Sequence, residues 1–234
     1  EFKREIAMPT AAMASHGLEL EVGVGTALAD VIRAVRPDVL IGTTGQPGAF
    51  DEDVIRALAT VTTRPLVFAL SNPSSRVEAA PEDIIAWSGG RAVVATGSPF
   101  PAVSWDGGER PVGQANNVFV FPGVGMGTVV AEAERVTDQM FLVAARALAS
   151  QVSDGRLETG ALYPPIRQLG QISRSVALAV AAEAVRAGVA GIDADVDLPA
   201  TVDEAMWWPS YVPYIRARSA VHRDEVFSSY QARG

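Results

Sequence analysis

At 234 residues, with 48% hydrophobic side chains and no cysteine, the chain is long enough to bury one large core or two modest ones without disulfide staples. Its formal net charge of -8, from 19 basic and 27 acidic side chains, excludes the positive surface that nucleic acid or an anionic membrane would require of a partner. No apolar run approaches the roughly 18 residues of a membrane span and the start lacks a basic-then-apolar leader, so a cytoplasmic location is expected.

Lys3 is the only lysine and lies at an end expected to fray, so chemistry that needs a catalytic lysine must draw it from elsewhere. The chain opens on Glu1-Phe2 rather than methionine, and a piece of a longer protein is the expectation.

Along the chain, the apolar period switches between strand and helix. Leu18, Leu20 and Val22 alternate with acids, a half-buried strand pattern, and Thr26 is placed to cap a helix through Arg36 with Leu28, Val31, Ile32 and Val35 on one face. Val39-Leu40-Ile41 predicts a short buried strand ending in glycine, and after the loop 42–48, Asp51 can start a helix to about Ala59. Residues 65–70 predict a strand, Pro81 to Trp87 a helix with proline and two acids in its first turn, and residues 92–96 another strand. Strands alternating with helices of this size imply βαβ crossovers, hence an α/β fold with a Rossmann-like, mostly parallel sheet and helices on both faces.

From Phe121 the pattern is helical only. Residues 137–152 carry the stripe Met140, Leu142, Val143, Leu148, and residues 164–187 carry Ile172, Val176, Val180, Val185. The tail from Gly191 is acidic and then aromatic (Trp207, Trp208, Tyr211, Tyr214), a density that suits docking. The expected organisation is half or more of a Rossmann-like layer over residues 1–116 (its second half), helices over 117–190 that pack on a domain outside this chain, and a docking or oligomerisation segment over 191–234.

Small and amide residues gather where apolar runs stop, which in an open α/β sheet is where ligands bind. Asn72 follows a strand and precedes Pro73, whose ring holds it extended, so its amide can offer a donor and an acceptor to a ligand. Ser-Asn-Pro-Ser-Ser is equally an ordinary turn in which Asn72 bonds its own backbone, and Asn116-Asn117 has the same two readings. Gly23-Val24-Gly25 opens a helix, but Leu28 stands where a dinucleotide turn needs its third glycine. Gly123-Val124-Gly125-Met126-Gly127 has the wrong spacing and better suits close approach of a helix to another backbone. Residues 42–48 form the best cofactor loop of the three. No acidic cluster presents a metal site: Asp51, Asp53 and Glu82 read as helix-start charges, and His16 and His222 as solvated side chains. Ser98 has no local base for a hydrolase triad, and Tyr163-Pro164-Pro165 reads as a helix start.

The segments Gly45-Gln46-Pro47-Gly48-Ala49-Phe50, Arg64-Pro65 leading to Phe68-Ala69-Leu70-Ser71-Asn72-Pro73, Gly97 to Phe100, Gln114 to Gly123, Val136-Thr137-Asp138 and Leu162-Tyr163-Pro164-Pro165 are similar in order and spacing to malic enzymes. The resemblance covers about residues 37–190 and implies oxidation of L-malate with NAD or NADP, then decarboxylation to pyruvate, with Mg or Mn. It implies that Asn72, Asn116 and Asn117 bind substrate, and that Thr43, Thr44, Gly45, Leu70, Ser71, Asn72 and Asn116 line the dinucleotide. The family's acid tyrosine, base lysine, metal carboxylates and first glycine-rich turn match nothing in this sequence. Accordingly no catalytic or metal residue is assigned, the isolated chain is expected to be inactive, and the implied partners are malate or pyruvate, an N-terminal catalytic region or chain, and further copies in a homo-oligomer. A catalytically incomplete Rossmann-type nucleotide-binding or subunit-interaction module is the alternative.

Overall fold

A computed structural model describes residues 7–18 and 26–208. The strand reading over 18–22 falls mostly outside the described residues, as do Gly23-Val24-Gly25, Tyr211, Tyr214 and His222.

In chain order the elements are α1 (Thr10–Ser15), α2 (Leu28–Val35), β1 (Val39–Gly42), α3 (Glu52–Val61), β2 (Leu66–Ala69), α4 (Pro81–Trp87) and β3 (Val93–Thr96). A hairpin of β4 (Val103–Trp105) and β5 (Gly108–Arg110) precedes β6 (Gly113–Gln114), and then come α5 (Phe121–Val130), α6 (Asp138–Ala149), α7 (Asp154–Glu158), α8 (Leu169–Arg186) and α9 (Leu198–Ala205). Strands β1, β2, β3 and β6 form one parallel sheet in that spatial order. Because the order advances in one direction, successive crossovers stack on the same face.

Strand alternation then sorts the side chains. Leu40, Val67 and Val94 share the face that packs with Ala29 and Ile32 of α2, Val54, Ile55 and Leu58 of α3, and Ile84 and Ile85 of α4. The opposite face is covered at β3 and β6 by the segment after α7, where a Cβ on Gly160 would lie 3.8 Å from Val93 of β3 and one on Gly113 of β6 3.4 Å from the Tyr163 ring. Towards β1 that face is open: Val39 is 43% and Ile41 63% exposed, which corrects the expectation of a buried strand at 39–41. A run of apolar residues does not distinguish a two-sided core strand from one whose second face awaits cover.

Other boundaries shift for local reasons. The cap of α2 is Ala27 rather than Thr26, and the helix ends at Val35 because Arg36 turns left-handed (φ 55°) ahead of Pro37. Asp51 caps α3 as expected, its carboxylate accepting from the Val54 N–H at 2.9 Å. The hairpin is an addition to the sequence reading; its signal is Asp106-Gly107, both at positive φ, which makes a tight two-residue turn.

A second core of Phe119, Met140, Ala144, Ile172, Val176 and Val180 joins α5, α6 and α8. Here Gly123 and Gly127 let α5 lie against α8: a Cβ on Gly123 would sit 2.8 Å from the Ser173 carbonyl, and one on Gly127 2.8 Å from Val180 Cβ. This is the close helix approach expected of those glycines. On its outer side α5 exposes Phe121 (73%) and Val129 (72%), so an apolar face is left uncovered. Helix α9 closes against α5 and α8 through Val130, Ala177 and Val202.

Candidate functional site

Four strands end level at the carboxyl edge of the sheet. The Leu70 N–H donates to the Gly42 carbonyl at 2.9 Å, Gly97 to Ala69 at 3.3 Å, and Ala115 to Thr96 at 2.8 Å. Each chain then turns away, so the loops at 43–48, 70–73, 97–98 and 115–117 converge on one border, the position where open α/β sheets hold ligands.

Asn72 and Asn116 meet across a single dipeptide. The Ser98 hydroxyl donates to Asn72 Oδ1 at 2.6 Å, while Asn116 Nδ2 donates to the Gly97 carbonyl at 3.1 Å. Gly97 is required between them, since a Cβ there would strike the Leu70 carbonyl and lie 2.7 Å from Asn72 Nδ2. Asn116 also caps the 3-10 turn Asn117–Phe119, its Oδ1 accepting from Val118 N–H at 2.9 Å. Each asparagine fastens a turn, and because an amide has two donor hydrogens and two lone pairs, these bonds do not exhaust its hydrogen-bonding capacity. Asn72 and Asn117 are exposed and Asn116 is half-buried.

The dinucleotide candidates Thr43, Thr44, Gly45, Leu70 and Ser71 lie on the neighbouring two loops, and a residue absent from the sequence reading binds those loops together. Glu78 is fully buried, and its carboxylate accepts from Thr44 N–H (2.8 Å), Thr44 Oγ1 (2.9 Å), Ser71 N–H (3.3 Å) and Ser71 Oγ. The two hydroxyls in turn accept from Gly45 N–H at 2.9 Å and Gln46 N–H at 3.0 Å, which makes two relays ending on one carboxylate. Burial works to raise the Glu78 pKa, but the hydrogen bonds from Ser71 and Thr44 together prevail and hold it below the ordinary 4.5. Gly42 makes room, because a Cβ there would be 2.7 Å from the Glu78 carboxyl carbon. An acid inside the apolar stretch Val77-Glu78-Ala79-Ala80 was the available signal.

This arrangement has chemical consequences. With the N–H groups of Thr44, Gly45 and Gln46 all directed inward, the loop is not an anion-binding nest of backbone donors. Gly45, at φ +67°, has open space where a side chain would stand, so the backbone itself can approach a flat ring. Small strand-end residues leave room at this border, and the loop offers no array of free backbone donors for a phosphate. Among the described residues, no group of three or more histidine, cysteine, aspartate or glutamate side chains is placed to hold a metal ion. Tyr163 is packed on the Phe119 ring at 6.1 Å, and burial pushes its phenol pKa up. His16 is exposed beyond α1. No helix among the described residues is long and apolar enough to cross a membrane.

Known proteins match most of the chain. A family model described as malic enzyme, NAD binding domain, matches residues 4–185. The NAD-dependent malic enzyme of Vibrio campbellii is 45% identical over 194 residues, covering 83% of this chain and 34% of its own length. That of Edwardsiella ictaluri is 42% identical over 216 residues, covering 92% and 38%. The crystal structure of Entamoeba histolytica malic enzyme superposes with a TM-score of 0.61 at 27% identity, over 77% of this chain and 33% of that one. The Pyrococcus horikoshii malic enzyme gives 0.58 at 27% identity, over 76% and 36%. The chain thus spans about a third of the length of the curated relatives it matches.

Proposed function

This chain belongs to the malic enzyme NAD-binding domain family, and on that premise we propose that it supplies the nicotinamide-side and malate-side contacts of an enzyme that oxidises L-malate and decarboxylates the product to pyruvate and CO2. The observation that carries the proposal is the convergence of Asn72 and Asn116 on Gly97-Ser98 at the carboxyl edge of a parallel sheet, next to the 43–48 loop. NAD or NADP supplies the hydride acceptor. Asn72, Asn116 and Asn117 bind the hydroxy acid through neutral amides, which satisfy a carboxylate without adding charge beside a cationic ring. Thr43, Thr44, Gly45, Leu70 and Ser71, with Asn72 and Asn116, line the dinucleotide and hold it at the orientation hydride transfer needs.

In this reading the proton-moving tyrosine and lysine and the carboxylates for Mg or Mn come from polypeptide other than the described residues. The sheet unit over 1–116 carries the site, the helices over 117–190 pack on the region that brings that machinery, and 191–234 takes part in subunit assembly in a homo-oligomeric cytoplasmic enzyme. The uncovered apolar residues Phe121 and Val129 support such packing. The same exposure favours the second reading, a binding or subunit-interaction module without turnover of its own.

One experiment separates the two. The native protein is assayed for malate-dependent reduction of NAD and of NADP with Mg or Mn, in parallel with the Asn72→Ala variant. Turnover in the native protein, with a raised malate KM or lowered kcat in the variant, supports the enzyme; nucleotide binding without turnover supports the module.

A further inference from the structure

Glu78 is a buried acid for which the proposed reaction has no use, and none of the ion pairs among the described residues includes it. Four donors from Thr44 and Ser71 meet on its two oxygens, an arrangement suited to an ionised carboxylate, which only accepts. Its own backbone carbonyl also takes the Phe50 N–H at 3.2 Å, so the residue grips the 43–50 loop at both ends.

We infer that Glu78 is a positioning residue for the dinucleotide, locking the 43–48 loop against the end of β2 and placing beneath it a negative charge, hydrogen-bonded but without an ion-pair partner among the described residues, that favours the oxidised, pyridinium form of nicotinamide over the neutral reduced form. The inference rests on the reading that the nicotinamide end lies at this loop. A charge buried in a medium of low effective dielectric acts over several ångströms, and its field distinguishes a cationic ring from a neutral one even though shape and hydrogen bonding scarcely change between them. Hydroxyl relays through Thr44 and Ser71 transmit the carboxylate's position to the N–H groups of Gly45 and Gln46. Loop geometry and redox preference therefore have one origin.

The test measures dissociation constants of the native protein for the oxidised and reduced dinucleotide separately, by titration calorimetry or fluorescence, in wild type and Glu78→Gln. The amide keeps the size and one acceptor oxygen but removes the charge. The expected result is a loss of about tenfold in affinity for the oxidised form, with the reduced form changing less than about threefold. Equal weakening of both forms overturns the electrostatic role, and unchanged affinity for both overturns the whole inference. Thr44→Val, with Thr44→Ser as the conservative rescue, tests the relay independently should Glu78→Gln fail to fold. The valine variant is expected to weaken both forms alike and the serine variant to restore them; valine binding like wild type overturns the clamp. A wild-type protein that binds neither form sinks the functional reading itself, an outcome separate from the others.

Discussion

Ser98 donates a 2.6 Å hydrogen bond to Asn72 and so ties the turn after β3 to the turn after β2. The bond orients the side-chain oxygen of Asn72, while its amide nitrogen makes only a long 3.4 Å hydrogen bond among the described residues, to the Leu70 carbonyl, and so keeps donor capacity for a ligand.

Ser98→Ala in the complete enzyme should therefore raise the malate KM about fivefold while costing at most about 1 kcal/mol of stability, the typical net value of one hydrogen bond. Steady-state kinetics alongside thermal unfolding checks this; an unchanged KM would show that Asn72 needs no such restraint.

Gly97→Ala is a different kind of change. The added methyl would be driven into the Leu70 carbonyl and the Asn72 amide, backbone and side chain of the site itself. Overpacking of this sort costs about 1–3 kcal/mol, so urea unfolding should shift to lower denaturant and malate turnover should fall with it. Normal stability in this variant would mean that the turns are looser than they stand.

The glycines of α5 allow a comparison within one helix. A Cβ on Gly127 would meet the Ala177 carbonyl and Val180 of α8, whereas one on Gly125 meets nothing within 4 Å. Gly127→Ala should destabilise by about 1–3 kcal/mol and Gly125→Ala should stabilise by up to about 1 kcal/mol, because alanine is the better helix former. Equal effects at the two positions, read by chemical denaturation, would contradict the close packing of α5 on α8.

Glu78 sets a pH dependence of stability. Its folded-state pKa is depressed below the ordinary 4.5, so its contribution is fully present above that value and is lost as pH falls through the lower, folded-state value. Melting temperature followed downward from pH 6 should thus fall more steeply in acid for wild type than for Glu78→Gln, which has no proton to take up. Parallel curves would assign the acid sensitivity to other carboxylates.

Periodicity and end signals were enough to lay out β2, α3, α4, β3, α6 and α8 to within a few residues, because each has a local cause: Asp51 and Thr137 as side-chain caps, Pro81 in a first turn, apolar stripes at helical spacing. The amide-rich strand ends were also legible as turn chemistry, and their order matched a family. The hairpin at 103–110 also has a local signal, the Asp106-Gly107 turn. Glu78 is harder: its apolar neighbours hint at burial, but its partners lie 7 and 34 residues away in the chain.

The amino-acid order by itself determined the parallel βαβ layer, the helical half that follows, and which residue types stand at each strand end, because those follow from interactions between near neighbours in the chain. Only the folded arrangement decided that Asn72 and Asn116 share Gly97-Ser98, that Glu78 joins two loops, and that Ile41 remains uncovered on one side of the sheet. Those outcomes depend on which distant segments the sheet register brings within reach, a long-range choice that no local pattern encodes.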